Sequence, residues 1–327
     1  MKLSLLPPDW RQIQRKNFSR WEPLADFLEL SPEQREKVLK KSKFPLNLPL
    51  RLAKKIEKGS LDDPILKQFL PLTDEEIVTE GFVFDPVGDE KCRPASKLLH
   101  KYHGRVLLVC TSSCAMHCRY CFRRHFDYSV NDPTFDKEID LIANDSSIHE
   151  VILSGGDPLS LSNNKLKSLI ERLSEISHLT KLRFHSRFPI GIPERIDEEF
   201  LEIIENTRLK VWFVIHCNHP SELDDEILER LNLLQRRGVV VMNQAVLLKG
   251  VNDHVDTMAA LCLGLVDAGI LPYYVHQLDR VQGGAHFEVE EAEGLKIVEK
   301  LRSLLPGYAV PRYVREISGR ESKTDLK

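Results

Sequence analysis

Three things are scarce in this chain, and each scarcity removes a class of protein. Charge of one sign is the first: 46 Lys and Arg against 49 Asp and Glu leave a formal net charge of −3, without the electrostatic footprint of a general nucleic-acid binder. Long apolar runs are the second. The apolar run at residues 258–266 has nine residues, where a membrane span needs about twenty. The start, MKLSLLPPDW, breaks into Pro7-Pro8 after two leucines and does not fit a signal peptide, so a cytoplasmic protein with no membrane partner is expected. Paired cysteines are the third: the seven stand at positions 92, 110, 114, 118, 121, 217 and 262, an odd number that points to reduced thiols rather than a disulfide framework. What is present is the composition of an ordinary globular protein, 42% hydrophobic and 29% charged, long enough for one large domain or two modest ones.

Six β-rich apolar runs recur at 106–111, 151–153, 181–184, 210–215, 239–242 and 271–276, mostly about 30 residues apart. Between them lie helical periods. Leu166, Leu169, Ile170, Leu173 and Ile176 share a face, as do Leu223, Ile227, Leu228, Leu231 and Leu234 before Gly238, and Met258, Leu261, Cys262, Leu265 and Val266 before Gly269. Strand and helix in alternation imply parallel βαβ units. Polar residues follow every run: the cysteine cluster, Ser154-Gly155-Gly156-Asp157, His185-Ser186-Arg187, His216-Cys217-Asn218-His219, Asn243-Gln244 and Gln277-Leu278-Asp279. A doubly wound sheet concentrates its site at one switch point, whereas a barrel brings every strand end to one mouth. The expected fold is therefore α/β, a partial (β/α)6 barrel of parallel strands with its site at the C-terminal face.

Residues 1–97 read as a helical N-terminal extension, 98–305 as the barrel, and 306–327 as a C-terminal segment closing the mouth. Pro45, Pro49, Pro64 and Pro71 punctuate short helical stretches in the extension, such as residues 31–41, started by Ser31-Pro32-Glu33. The first 60 residues hold 14 Lys or Arg against 7 Asp or Glu. Because these are dispersed, a solvated surface is favoured over a face for an acidic partner.

Cys114-Ala115-Met116-His117-Cys118-Arg119-Tyr120-Cys121 puts three thiols on one tight loop, one ligand short of the four that iron clusters and structural zinc usually take. A four-iron cubane on three cysteines keeps one iron open for a chelating ligand. A zinc site finished by His117 or His125 is the blander alternative.

This C-x3-C-x2-C motif resembles that of the radical S-adenosylmethionine enzymes. The resemblance implies a 4Fe-4S cluster bound by Cys114, Cys118 and Cys121, with S-adenosylmethionine on the open iron and Gly155, Gly156 and Asp157 at its methionine end. More specifically, residues 98–323 resemble the lysine 2,3-aminomutase family. The matching pieces are Tyr102-His103-Gly104-Arg105, Phe122-Arg123-Arg124, Ser154 to Leu159, His216 to Pro220, Asn243 to Asp253, Pro272-Tyr273-Tyr274, Gln277-Leu278-Asp279 with His286-Phe287, and Ser322-Lys323-Thr324. Pro311-Arg312 to Glu316-Ile317 is most similar to the branch that makes β-lysine for modification of elongation factor P.

By that resemblance Lys323 is the lysine that holds pyridoxal 5′-phosphate covalently and is the catalytic residue. Tyr102 and Arg105 would surround the ring and its phosphate, and His216 and Gln244 would lie near the cofactors. Arg123 would clamp the substrate carboxylate, since a guanidinium fork suits it, and Asp279 and Glu316 would receive the distal ammonium. Glu316 stands where the family usually has Asp. The implied reaction moves the amino group of L-lysine from carbon 2 to carbon 3. That migration breaks an unactivated C–H bond for which no side-chain base has a suitable pKa, so a radical is required. The implied partners are free L-lysine, an electron donor such as flavodoxin or ferredoxin, and elongation factor P with its lysyl ligase. Arginine as substrate, or a radical enzyme without pyridoxal phosphate, stand as alternatives, with a non-enzymatic zinc module behind them; monomer against homo-oligomer stays open.

Overall fold

Each apolar run becomes a strand and each amphipathic period the helix that carries the chain back, in a computed structural model that describes residues 9–128 and 134–327. Pro7-Pro8 lies outside the described residues. Strand β1 (Leu98–Tyr102) forms a hairpin with β2 (Arg105–Thr111). The strands β3 (Glu150–Gly155), β4 (Lys181–Ser186), β5 (Lys210–Ile215), β6 (Val240–Val246), β7 (Leu271–His276) and β8 (Arg312–Arg315) follow, and β9 (Thr324–Asp325) ends the sheet. Helices at Asp136–Ala143, Asn163–Ser174, Glu198–Glu205, Asp225–Arg236, Val255–Asp267 and Glu291–Leu304 come after β2 to β7 in turn. Each crossover through a helix makes its flanking strands parallel. The sheet order is sequential from β1 to β9, and β2 to β8 pair in parallel. Among the described residues no pairing joins β9 back to β1, so the six-repeat barrel stays open.

The structure adds three short strands to the six runs. β1 and β9 are antiparallel caps at the two edges, and β8 is a seventh parallel strand whose four residues, two of them Arg, carry too little apolar signal to read. β4 and β6 also run further than their apolar residues do. His185, Ser186, Asn243 and Gln244 are still paired strand residues. Their polarity does not end the strand: His185 and Gln244 line the cavity, while Ser186 and Asn243 are buried and bond Asp157 and the Cys217 backbone. The helix expected at 31–41 is shorter, Pro32–Glu36. It starts on a capping box between Ser31 and Gln34 and stops because Val38 bridges Leu72 and is buried in the core.

Local chemistry sets the helix starts. Ser162, Asp197 and Asp224 each accept a backbone N–H of the first turn, caps worth about 1 kcal/mol apiece. The N-terminal layer shares the barrel's hydrophobic core: Trp10, Leu24, Leu48, Leu52 and Phe69 pack in one cluster with the strand and helix residues, Trp10 edge-on to Phe188 at 5.4 Å. Truncating Leu52 to Ala would cost about 2–5 kcal/mol. Part of the extension's basic excess meets the barrel's own acids. Arg51 lies 3.1 Å from Asp224 and 2.5 Å from Glu226, and Lys55 lies 2.7 Å from Asp224, all at the start of one helix.

Candidate active site

The C-terminal ends of the strands surround a cavity of about 630 Å³. Every residue to which the family resemblance gave a role lines it, from the cysteine triad on the loop after β2 to Lys323 beside β9, whereas His125, Ser186, Cys217, His219, Asn243 and Gln277 do not.

The cysteine loop is gripped from two sides. On one, Gly155 and Gly156 press against it: the amides of Gly156 and Asp157 donate to the carbonyls of Thr111 at 2.6 Å and Ser113 at 2.8 Å. A Cβ on Gly156 would sit 2.4 Å from the Ser113 oxygen, and Gly155 has φ +110°, so only glycine allows the approach. The Asp157 carboxylate accepts the Ser186 hydroxyl and the amides of Leu159, Arg187 and Phe188. Burial nonetheless pushes its pKa up to about 6. It braces the turn, and together with Gly155 and Gly156 it borders the cavity here.

On the other side the N-terminal layer holds the loop, a role the sequence did not announce. Asn17 and Asn47 donate to the carbonyls of Ala115 at 2.8 Å and Cys114 at 3.2 Å. The amides of His117 and Arg119 donate to Asn47 and Gln68. Glu75, itself buried, accepts from both Arg119 and Arg124. No motif marks these residues; only their spatial convergence does. Burial raises the Cys114 pKa well above the usual thiol value and that of Cys121 to about 11, so metal binding must displace their protons. Among the described residues no three His, Cys, Asp or Glu side chains are grouped as a single ion would require.

Across the mouth runs a row of alternating charges. Arg123 Nε donates to Asp89 at 2.8 Å; Lys101 lies 2.7 Å from Asp89 and 3.6 Å from Glu316. Glu316 accepts from Tyr102 at 2.5 Å and from Lys323 Nζ at 2.8 Å. Burial would raise the carboxylate pKa of Asp89 and of Glu316. The cations outweigh it in both and hold them low: Arg123 and Lys101 for Asp89, chiefly Lys323 for Glu316. Asp279 differs: burial pushes its pKa up to about 7 although Lys323 pulls the other way. Arg105 stacks over the Tyr102 ring at 4.7 Å, and Lys323 Nζ lies 6.0 Å from the Tyr274 ring centre. Asp89 and Lys101 were not evident from sequence, because nothing local distinguishes them from surface charges.

Deeper in the barrel, His216 and Gln244 meet at 2.9 Å. Burial, then Arg187 and Arg123, lowers the His216 pKa to about 3. His185 and His276, also kept neutral by burial, have buried Nε2 atoms with no protein partner. Unmet polar atoms on a cavity wall fit a polar ligand.

The fold and the loop define a radical S-adenosylmethionine enzyme, and residues 108–262 match the Radical SAM superfamily. The chain belongs to the L-lysine 2,3-aminomutase family. It is 43% identical to L-lysine 2,3-aminomutase of Escherichia coli (strain K12) over 289 residues, 88% of this chain and 84% of that one. Identity is 40% to that of Haemophilus influenzae (strain ATCC 51907 / DSM 11121 / KW20 / Rd), over 97% of this chain and 95% of the relative. It is also 40% to that of Buchnera aphidicola subsp. Baizongia pistaciae (strain Bp), over 86% and 83%. The superfamily implies a 4Fe-4S cluster and S-adenosylmethionine. Three soft thiols on a doubly braced loop at the cavity wall suit the cluster, and the neutral imidazoles suit a polar cofactor beside it.

Proposed function

We propose that the protein is an L-lysine 2,3-aminomutase, moving the amino group of L-lysine from carbon 2 to carbon 3, with Cys114, Cys118 and Cys121 as the cluster ligands and Lys323 as the pyridoxal phosphate lysine. The observation that carries this reading is the convergence on one cavity of the cysteine loop, a guanidinium, two carboxylates and a lysine. When bound, the cluster with S-adenosylmethionine supplies hydrogen-atom abstraction from an unactivated carbon, and pyridoxal phosphate supplies an imine-forming carbonyl and a ring that delocalises an unpaired electron.

The chain's own residues bind and orient. Arg123, its Nε committed to Asp89 and its Nη1 3.5 Å from the Ser154 hydroxyl, offers the remaining N–H groups of its terminal nitrogens to the substrate carboxylate. Asp279, with Glu316, receives the distal ammonium, whose burial without a counter-charge would be costly. Lys323 must give up a proton to bond a carbonyl, and Glu316, which accepts its hydrogen bond at 2.8 Å, orients the amino group toward the cavity. Tyr102 and Arg105 flank the ring and phosphate of the bound cofactor, and His216 and Gln244 line its neighbour's side. Gly155 and Gly156, with Asp157 bracing them, shape the methionine end.

The wider reading takes residues 1–97 as a layer supporting the barrel of 98–305, and 306–327 as the segment that closes it. The enzyme acts in the cytoplasm with a flavodoxin- or ferredoxin-type donor. Among the described residues no helix is long and apolar enough to cross a membrane. The branch resemblance at residues 311–317 supports use of the β-lysine on elongation factor P through its lysyl ligase.

Anaerobic reconstitution with iron, sulfide and pyridoxal phosphate, then incubation with reductant, S-adenosylmethionine and L-lysine, should yield β-lysine. Turnover of L-arginine in its place, or of lysine without pyridoxal phosphate, would overturn the assignment. The mass of elongation factor P in a strain lacking this protein tests the downstream link.

A further inference from the structure

Behind the cysteine loop lies a buried polar network that none of the assigned roles uses. Its centre is Arg187, which follows β4 and is 5% exposed. One terminal nitrogen, Nη1, lies 2.8 Å from Cys118 Sγ and also donates to the Tyr120 hydroxyl. The other, Nη2, donates to Gln68 and to Glu222, both at 2.7 Å. The same partners hold one another. Asn218 donates to the Tyr120 hydroxyl at 2.6 Å and to Gln68 at 2.9 Å, and Gln68 donates to Glu222 at 3.1 Å. Phe69 packs on the guanidinium face at 4.9 Å, and the Arg187 amide is tied to Asp157. Three parts of the chain, at residues 68–69, 118–120 and 222, therefore fix the direction of one guanidinium.

Glu222 alone would balance the charge of Arg187. A buried pair is seldom a net gain in stability over apolar packing, yet here one arm of the fork is turned away from its counter-ion and toward a thiol on the cavity wall. Hydrogen bonds to ligand sulfurs, and cations beside them, favour the more negative, reduced form of an iron–sulfur cluster.

We infer that Arg187 is a positioning residue of the cluster site, donating a hydrogen bond to the Cys118 sulfur and making the reduced cluster easier to reach. Gln68 and Glu222 aim it. The inference rests on the reading that the cysteine triad holds the cluster.

The test uses full-length protein reconstituted anaerobically, as wild type, Arg187→Lys and Arg187→Gln, with iron content measured and the cluster titrated against potential by electron paramagnetic resonance. Arg187→Gln should keep its iron while its reduced-to-oxidised ratio at a fixed potential falls about tenfold, equivalent to 59 mV for a one-electron couple. Arg187→Lys, which keeps the charge, should fall less. A merely structural role would leave the midpoint of an iron-replete variant unchanged, and that result would overturn the inference. Should Arg187→Gln fail to fold or to load iron, wild-type protein carrying guanidino-15N arginine decides. Its reduced cluster should show a 15N coupling in pulsed spectra that Arg187→Lys lacks, and absence of that coupling in the wild type would equally overturn it. A wild type that assembles no cluster would instead bring down the reading of the triad, and this inference with it.

Discussion

The two walls of the cavity are built differently. The cysteine wall is held by buried bonds: Arg119 and Glu75 are 0% and 2% exposed as side chains, and the loop is hydrogen-bonded both to the glycine turn and to the N-terminal layer. The wall that carries Lys323 hangs on a two-residue strand, one backbone bond from Leu326 to Tyr313, the ion pair of Lys323 with Glu316, and an ion pair of Arg312 with Asp325 whose side chains are 56% and 39% exposed. Segments joined by few and exposed bonds open most easily. The contrast separates two demands on one site. On the proposed roles, the cluster ligands sit on the firmly held wall and the pyridoxal phosphate lysine on the loosely held one.

The largest effect that would sharpen this contrast falls on the rigid wall. Replacing any one of Cys114, Cys118 or Cys121 by Ala should abolish the cluster absorption and all turnover, while Cys92, Cys110, Cys217 or Cys262 to Ala should keep both, the buried ones at a cost of about 1 kcal/mol in stability. Iron analysis after anaerobic reconstitution reads the outcome; full iron in Cys118→Ala would break the assignment. On the other wall, Lys323→Ala should keep iron at the wild-type level and lose the borohydride-reducible pyridoxal adduct together with activity. Loss of iron as well would show that the walls are not independent.

The same contrast explains what could be read from sequence. The barrel was legible because its strands are apolar and its helices periodic, and the cysteine loop because three thiols in eight residues have few other uses. Lys323 offered no physical signal of its own in a polar tail; only the resemblance singled it out. The braces on the cysteine loop, Asn17, Asn47, Gln68 and Glu75, come from a segment at least 39 residues away, and their polarity reads as ordinary surface. Asp89, which links Arg123 to Lys101, is hidden for the same reason. Long-range hydrogen bonds leave no local period to detect.

Between the walls sits Asp279, and its protonation gives a smaller, graded effect. With its pKa near 7 in the free protein, it is neutral below that pH and cannot balance the distal ammonium of lysine, which stays charged far above it. The kcat/KM for lysine, which reports free-enzyme groups, should therefore rise about tenfold per pH unit up to about pH 7 and level off beyond it. Asp279→Asn should lose that limb and lower kcat/KM roughly a hundredfold, about 2–3 kcal/mol for a lost charge-assisted contact, with iron and pyridoxal content unchanged. A variant that retains the limb would assign it to another group.

The smallest effect tests whether the tail wall is as loosely fastened as its bonds suggest. Arg312 and Asp325 meet through three hydrogen bonds, from Nε and Nη2 to the two carboxylate oxygens, at 2.7–3.1 Å, a geometry that is good but largely in water, where such pairs contribute about 0–1 kcal/mol. Asp325→Asn should therefore leave folding stability within that range and iron content unchanged. It should reduce the fraction of protein carrying the Lys323 adduct, at limiting pyridoxal phosphate, by no more than about fivefold, the population shift that 1 kcal/mol allows. Added salt should produce much of the same loss in the wild type and little more in the variant, because screening acts on the pair the substitution removes. A loss of tenfold or more would mean that the pair is coupled to the row of charges through Glu316 and Lys101, and that the tail is fixed as firmly as the cysteine loop, which would erase the difference between the walls.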